Sequence, residues 1–166
     1  MIEVKSVKID GECLHLFSSA IYIFESGSRY TLELTMIVSE VAVKKYSKEE
    51  NLIVEIELHD GRVLNSIMHQ QSFSGGLPQL NLYCVVDDPV EYHDFYFVRE
   101  EDPQFPKIGV GITLEEIRKH EMPNEKITLK LQLPIDQTEW LAKRKKSEIE
   151  KIIKEAIYDY WKKEQR

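Results

Sequence analysis

From Asn51 to Met68 apolar and polar positions alternate around a turn dipeptide. Leu52, Val54, Ile56 and Leu58 interleave with Ile53, Glu55, Glu57 and His59, the period of a strand with one buried face. Asp60-Gly61 follows, a pair suited to a two-residue turn because both central positions tolerate positive φ. The pattern predicts a β-hairpin that sets Leu58 opposite Val63, Ile56 opposite Asn65 and Val54 opposite Ile67. In that register His69 falls on the apolar face opposite Leu52, near Asn65. A lone hairpin is marginal in water, so a larger sheet is expected around it.

The flanking segments carry the same period. Ile2, Val4, Val7 and Ile9 predict a first strand whose alternation slips near Lys5-Ser6, the mark of a bulge. Cys13 to Phe17 reads as a short return strand. Ser18 to Phe24 suits either a buried strand or a helical turn. Tyr30, Leu32, Leu34, Met36 and Val38 share one face of a strong strand, which Val41 and Val43 extend before a charged loop, Lys44 to Glu50. After a polar loop with Phe73 and Gly75-Gly76, Leu80 to Val86 and Tyr92 to Val98 read as strands. The cleanest amphipathic strand is Lys126 to Leu133, with Ile127, Leu129, Leu131 and Leu133 on one side.

Two helices complete the pattern. Thr113 and Glu116 have the spacing of a reciprocal cap, and Pro123 ends the helix begun at Leu114. Asp136 to Arg166 reads as one long helix capped by Asp136 and Glu139. Its apolar stripe runs through Ile149, Ile152, Ile153, Ala156, Ile157, Tyr160 and Trp161, and Lys143 to Lys146 interrupts it. The expected fold is α+β and mostly β. About eight antiparallel strands form a curved sheet or partial barrel, with one short helix and a long C-terminal helix packed on it. Residues 1–135 make the β body and 136–166 the helix, within one structural domain.

Composition places the chain among globular proteins: 42 % of residues are hydrophobic and 31 % charged. No apolar run has the length of a membrane span, and the N-terminus alternates charge with Ile and Val, unlike a signal peptide. Two cysteines, Cys13 and Cys84, are too few for a disulfide framework, which suits a reducing, cytoplasmic location. Net charge is −7, and residues 136–166 carry nine Lys/Arg against seven Asp/Glu, so the remainder carries −9. A body of that sign repels phosphate backbones, which argues against nucleic acid.

Candidate chemistry is sparse. No Gly-x-Ser-x-Gly elbow, phosphate-cradling glycine loop or helical His pair is present, so no catalytic residue, metal ligand or cofactor is assigned. The acidic stretch Asp87, Asp88, Glu91, Asp94, Glu100, Glu101 and Asp102, with Phe73 as an exposed contact, points to a protein partner of basic character. The leading expectation is therefore a non-enzymatic interaction module with an acidic surface, of the inhibitor or immunity kind. The first alternative is a small-ligand protein or enzyme with a cavity between sheet and terminal helix, lined by Asn65, His69 and Tyr83. The second is a structural homodimer joined through Ile149, Ile153, Ile157 and Trp161.

Overall fold

The alternating segments assemble into a single sheet of eight strands: β1 (Val4–Ile9), β2 (Glu12–Leu14), β3 (Ser18–Ser26), β4 (Arg29–Ile37), β5 (Asn51–Leu58), β6 (Val63–Gln71), β7 (Gln79–Val86) and β8 (Phe97–Arg99). Their order is β2-β1-β5-β6-β7-β4-β3-β8, and the sheet does not close. The computed structural model describes residues 1–73 and 76–166, so Gly75 of the expected glycine pair lies outside the described residues. Two compact units result, Met1–Asn124 and Glu125–Arg166.

The sheet is mixed, where the sequence pattern predicts an antiparallel one, because β8 runs parallel to β3 at Ile23–Glu25. Tyr92 to Val98 is also not one strand. Asp88 accepts a hydrogen bond from the Val90 N–H at 3.0 Å and Pro89 fixes the first φ, so Pro89–Tyr92 winds into a 3₁₀ turn and only Phe97–Arg99 pairs.

The central hairpin forms, but one residue out of the expected register. Leu58 N–H donates to the Arg62 carbonyl at 2.9 Å, and Gly61, at φ 93°, donates to the Leu58 carbonyl at 3.0 Å. The loop is thus the three residues His59 to Gly61, with glycine in the left-handed position. Ile56 therefore faces Leu64, Ile53 faces Ile67, and Asn51 faces His69. A shift of one flips the second strand. Leu64 and Met68 turn to the core, while Val63, Asn65, Ile67 and His69 turn outward and are exposed. The slip expected near Lys5-Ser6 is present as a register shift between Val4 and Ser6 against β5.

One continuous core fills the inner face of this sheet. Leu52, Val54, Ile56 and Leu58 from β5 join Leu32, Leu34 and Met36 from β4 and Leu80 and Leu82 from β7, all 1 % exposed or less. Burying each such side chain contributes about 1.5–3 kcal/mol before entropy is counted. The ambiguous segment after Phe17 is β3, covered on both sides: Ile21 and Ile23 face inward, while Tyr22 and Phe24 lie under Phe105, at ring separations of 5.9 and 6.1 Å. Among the described residues, β6 and β7 pair only at His69–Gln71. Beyond that point Tyr92 and Phe95 pack on the core, and Arg62 at the head of β6 grips Asp94 at 2.6 Å.

Residues 40–46, expected as strand and loop, form helix α1 (Glu40–Tyr46). Ser39 decides this, since its Oγ accepts the Ala42 N–H at 3.1 Å and satisfies one of the helix's first donors. Helix α2 (Leu114–His120) follows the pattern, with both halves of the Thr113–Glu116 cap made.

In the second unit Lys126 to Leu133 forms no strand. Its alternation is intact, yet a strand needs a neighbour to pair with, and none does so among the described residues. The long helix is two: α3 (Ile135–Ala142) and α4 (Lys146–Glu164), parted at Lys143–Lys145. Pro134, not Asp136, stands at the start of α3, and the Asp136 carboxylate accepts only from the adjacent Gln137 N–H.

Candidate functional site

Within the first unit, β2 and its continuation, α1 and the end of α2 enclose a groove of about 420 Å³ lined by Cys13, His15, Ser39, Lys45, His120 and Glu121 among others. Residues two apart on an extended segment share a side, so β2 and its continuation aim Cys13 and His15 into the groove together. His15 and His120 stack at 3.8 Å between centroids with an interplanar angle of 19°. Phe17 stands nearly perpendicular to both rings, at 4.7 and 5.6 Å. Burial, and then the nearby His120, hold the His15 imidazole below its ordinary basicity.

The charged groups around this pair are matched with one another. Lys45 and the Tyr46 hydroxyl both donate to the Glu12 carboxylate, and the Lys45 contact keeps Glu12 below the usual carboxylate range. Ser39 donates to Glu121 at 2.6 Å, and the Arg118 guanidinium donates to Glu40 at 2.6 and 3.2 Å. With Ile117 fully buried, these contacts fasten α2 to α1. The groove offers two imidazoles and a thiol at a seam whose other charges neutralise each other. His15 and His120 lie 105 residues apart in sequence, so no local spacing announces the pair.

The predicted acidic residues gather at one end of the sheet. The register aligns Val86, Tyr30, Glu25 and Arg99 across β7, β4, β3 and β8, so Asp87-Asp88 and Glu100-Glu101-Asp102 leave the sheet beyond the same row. Several are already engaged. Asp88 caps the 3₁₀ turn, Asp94 is held by Arg62, Glu100 accepts from the Ser26 hydroxyl, and Asp102 accepts from Gln104 at 3.3 Å. Asp87, Glu91 and Glu101 are exposed. Phe73, 63 % exposed, lies away from them, beside a cavity of about 220 Å³ with Tyr22, Thr35, Asn81 and Phe105.

Of the three predicted pocket residues, two meet. His69 and Tyr83 are cross-strand partners with rings 5.5 Å apart, while Asn65 sits four residues further along β6, opposite Glu55. All three lie on the outer face: Asn65 and His69 because of the one-residue register change, Tyr83 by the alternation of β7. His69 and Tyr83 belong to a transverse row that continues through Glu33 to Tyr22. Burial raises the Glu33 carboxyl against a partial offset from the Thr31 hydroxyl, at 2.8 Å. Burial and the Glu33 charge push the Tyr22 phenol up to about 12. The signal for Glu33 was its place as the one carboxylate within the Tyr30–Val38 alternation.

The second unit carries apolar surface of a different order. Ile127, Leu129, Leu131 and Leu133 are 72, 61, 65 and 40 % exposed, and on α4 Ile153, Ile157 and Trp161 are 40, 50 and 53 % exposed, with Ile149 half-buried. No helix among the described residues is long and apolar enough to cross a membrane, and no His, Cys, Asp and Glu among them cluster as a metal site. Compared with known proteins, the chain matches no family model, no curated protein and no solved structure.

Proposed function

We propose that this protein is a protein-interaction module whose contact element is the second unit, Glu125–Arg166. The observation that carries the reading is the intact strand alternation of Ile127, Leu129 and Leu131 at 61–72 % exposure. Isolated exposed aliphatics are ordinary, but an alternating apolar row and an apolar helix stripe both left exposed in one unit mark a surface meant for a partner. The groove beside His15 supports a ligand less well, since its charged groups are satisfied internally.

The test is the native mass of the full chain in gentle cell extracts, compared with the variant I127S/L129S/L131S/I153D. The wild type runs in an assembly larger than the 19.5 kDa chain, and the variant runs at the mass of the chain alone. A wild type and variant that migrate identically would sink the reading.

A second reading rests on the alignment of the acidic segments at one end of the sheet, a surface suited to a basic protein. Charge reversal of the exposed acids, D87K/E91K/E101K, then abolishes a salt-sensitive complex that the tail variant leaves intact.

A further inference from the structure

Resting on the interaction reading above, we infer that the partner of α4 is a second copy of this chain, joined by antiparallel pairing of the two α4 stripes. Three features of the helix point there.

The first is charge. From Lys146 to Glu164 the helix holds five lysines and five carboxylates, so it is neutral, while the rest of the chain before residue 136 carries −9. Two acidic chains repel, and the element on which they meet without net repulsion is a neutral one. A strongly basic or acidic partner, by contrast, gains no net attraction from this helix.

The second is how the charges flank the stripe. At 3.6 residues per turn, Glu150 and Lys154 border it on one side, and Glu148, Asp159 and Lys163 border it on the other. A two-fold, antiparallel pairing sets like flank against like flank. With Ile149 set over Trp161 of the second copy, Glu148 then approaches its Lys163. A parallel pairing sets unlike flanks together and levels Glu150 with Glu148. Antiparallel helices also oppose their dipoles.

The third is shape and extent. The stripe repeats from Ile149 to Trp161 at spacings of three and four, over a helix about 28 Å long by its rise per residue. Ile152, Ile153 and Ile157 are 39–50 % exposed and central, with Tyr160 and Trp161 toward one end. Reversing the second copy places its aromatic end over the aliphatic end of the first, so large rings meet smaller side chains at both ends.

The experiment is sedimentation of the full chain across about 1–100 µM, with four samples: wild type, I153D/I157D, E148K and K163E. The wild type sediments at twice 19.5 kDa. I153D/I157D sediments as monomer with unchanged circular dichroism from the sheet. E148K and K163E each dimerise roughly tenfold more weakly, because each sets like charges together twice across the two-fold axis. An equimolar mixture of E148K and K163E chains recovers the wild-type affinity, since both cross pairs are again unlike.

A wild type that stays monomeric overturns the inference, as does a dimer that survives I153D/I157D or a mixture that fails to recover. A monomeric wild type that nonetheless runs in a larger assembly in extracts, lost in I153D/I157D, overturns the self-pairing and leaves the interaction reading standing. A monomer in both settings overturns both.

Discussion

At the scale of single residues, Glu33 shows what a sheet can impose on one side chain. Alternation alone places it outward, where a carboxylate is ordinarily solvated. The surrounding row of Tyr22 and Tyr83 takes water away, and burial raises its pKa from 4.5. A carboxyl whose folded pKa lies above its unfolded value contributes stability below pH 4.5 and loses it as pH rises through the folded value. At neutral pH the fold therefore holds a carboxylate it disfavours. E33Q removes that cost, so its melting temperature exceeds the wild type's at neutral pH and converges on it below pH 4.5. Thermal melts of the two proteins at both pH values check this, and an equal or lower neutral-pH melting temperature for E33Q contradicts it. The outward position of Glu33 is legible in the alternation, whereas its burial depends on strands fifty residues away. The His15–His120 stack is illegible for the same reason.

Elements were legible where a pattern had one physical meaning. Tyr30 to Val38 can only be a one-sided strand, and Thr113-x-x-Glu116 before an apolar residue can only open a helix; both form within a residue of the expected bounds. Errors fall where one signal serves two structures. Asp60-Gly61 suits a two-residue turn and equally the last two positions of a three-residue loop, and that ambiguity moved every contact of β6 by one. Val41 and Val43 alternate as a strand would, but they also sit on a helical turn, and a single hydroxyl settles which. Ser39 caps α1 through Ala42 N–H and donates to Glu121 on the far side, at 4 % exposure. Ser39→Ala removes the cap and leaves the Glu121 carboxylate without that donor, so it costs about 1–3 kcal/mol. Urea denaturation measures the loss. Thr at this position, which keeps the hydroxyl, recovers most of it, and an unaffected midpoint in S39A would show that α1 is held by packing alone.

For the molecule as a whole, the division into Met1–Asn124 and Glu125–Arg166 separates two kinds of sequence that look alike on paper. Both carry regular apolar alternation, and pattern alone predicts that Lys126 to Leu133 is the last strand of the sheet. Pairing, which no alternation encodes, distinguishes them: among the described residues, the eight strands lie between Val4 and Arg99, and every buried hydrophobic lies between Val7 and Ile117. A chain of that length with its own continuous core is of a size that folds by itself. Residues 1–124 expressed alone therefore unfold cooperatively, which urea denaturation followed by circular dichroism checks. Residues 125–166 alone behave oppositely. A nineteen-residue helix is marginal in water without a packed face, so the peptide is weakly helical when dilute. If α4 pairs with a second copy, its circular dichroism at 222 nm deepens with concentration, and I153D/I157D abolishes that rise. A fragment 1–124 that fails to fold would instead mean that the alternating segment at Lys126–Leu133 belongs to the stability of the sheet, with its aliphatics serving the core and not a partner.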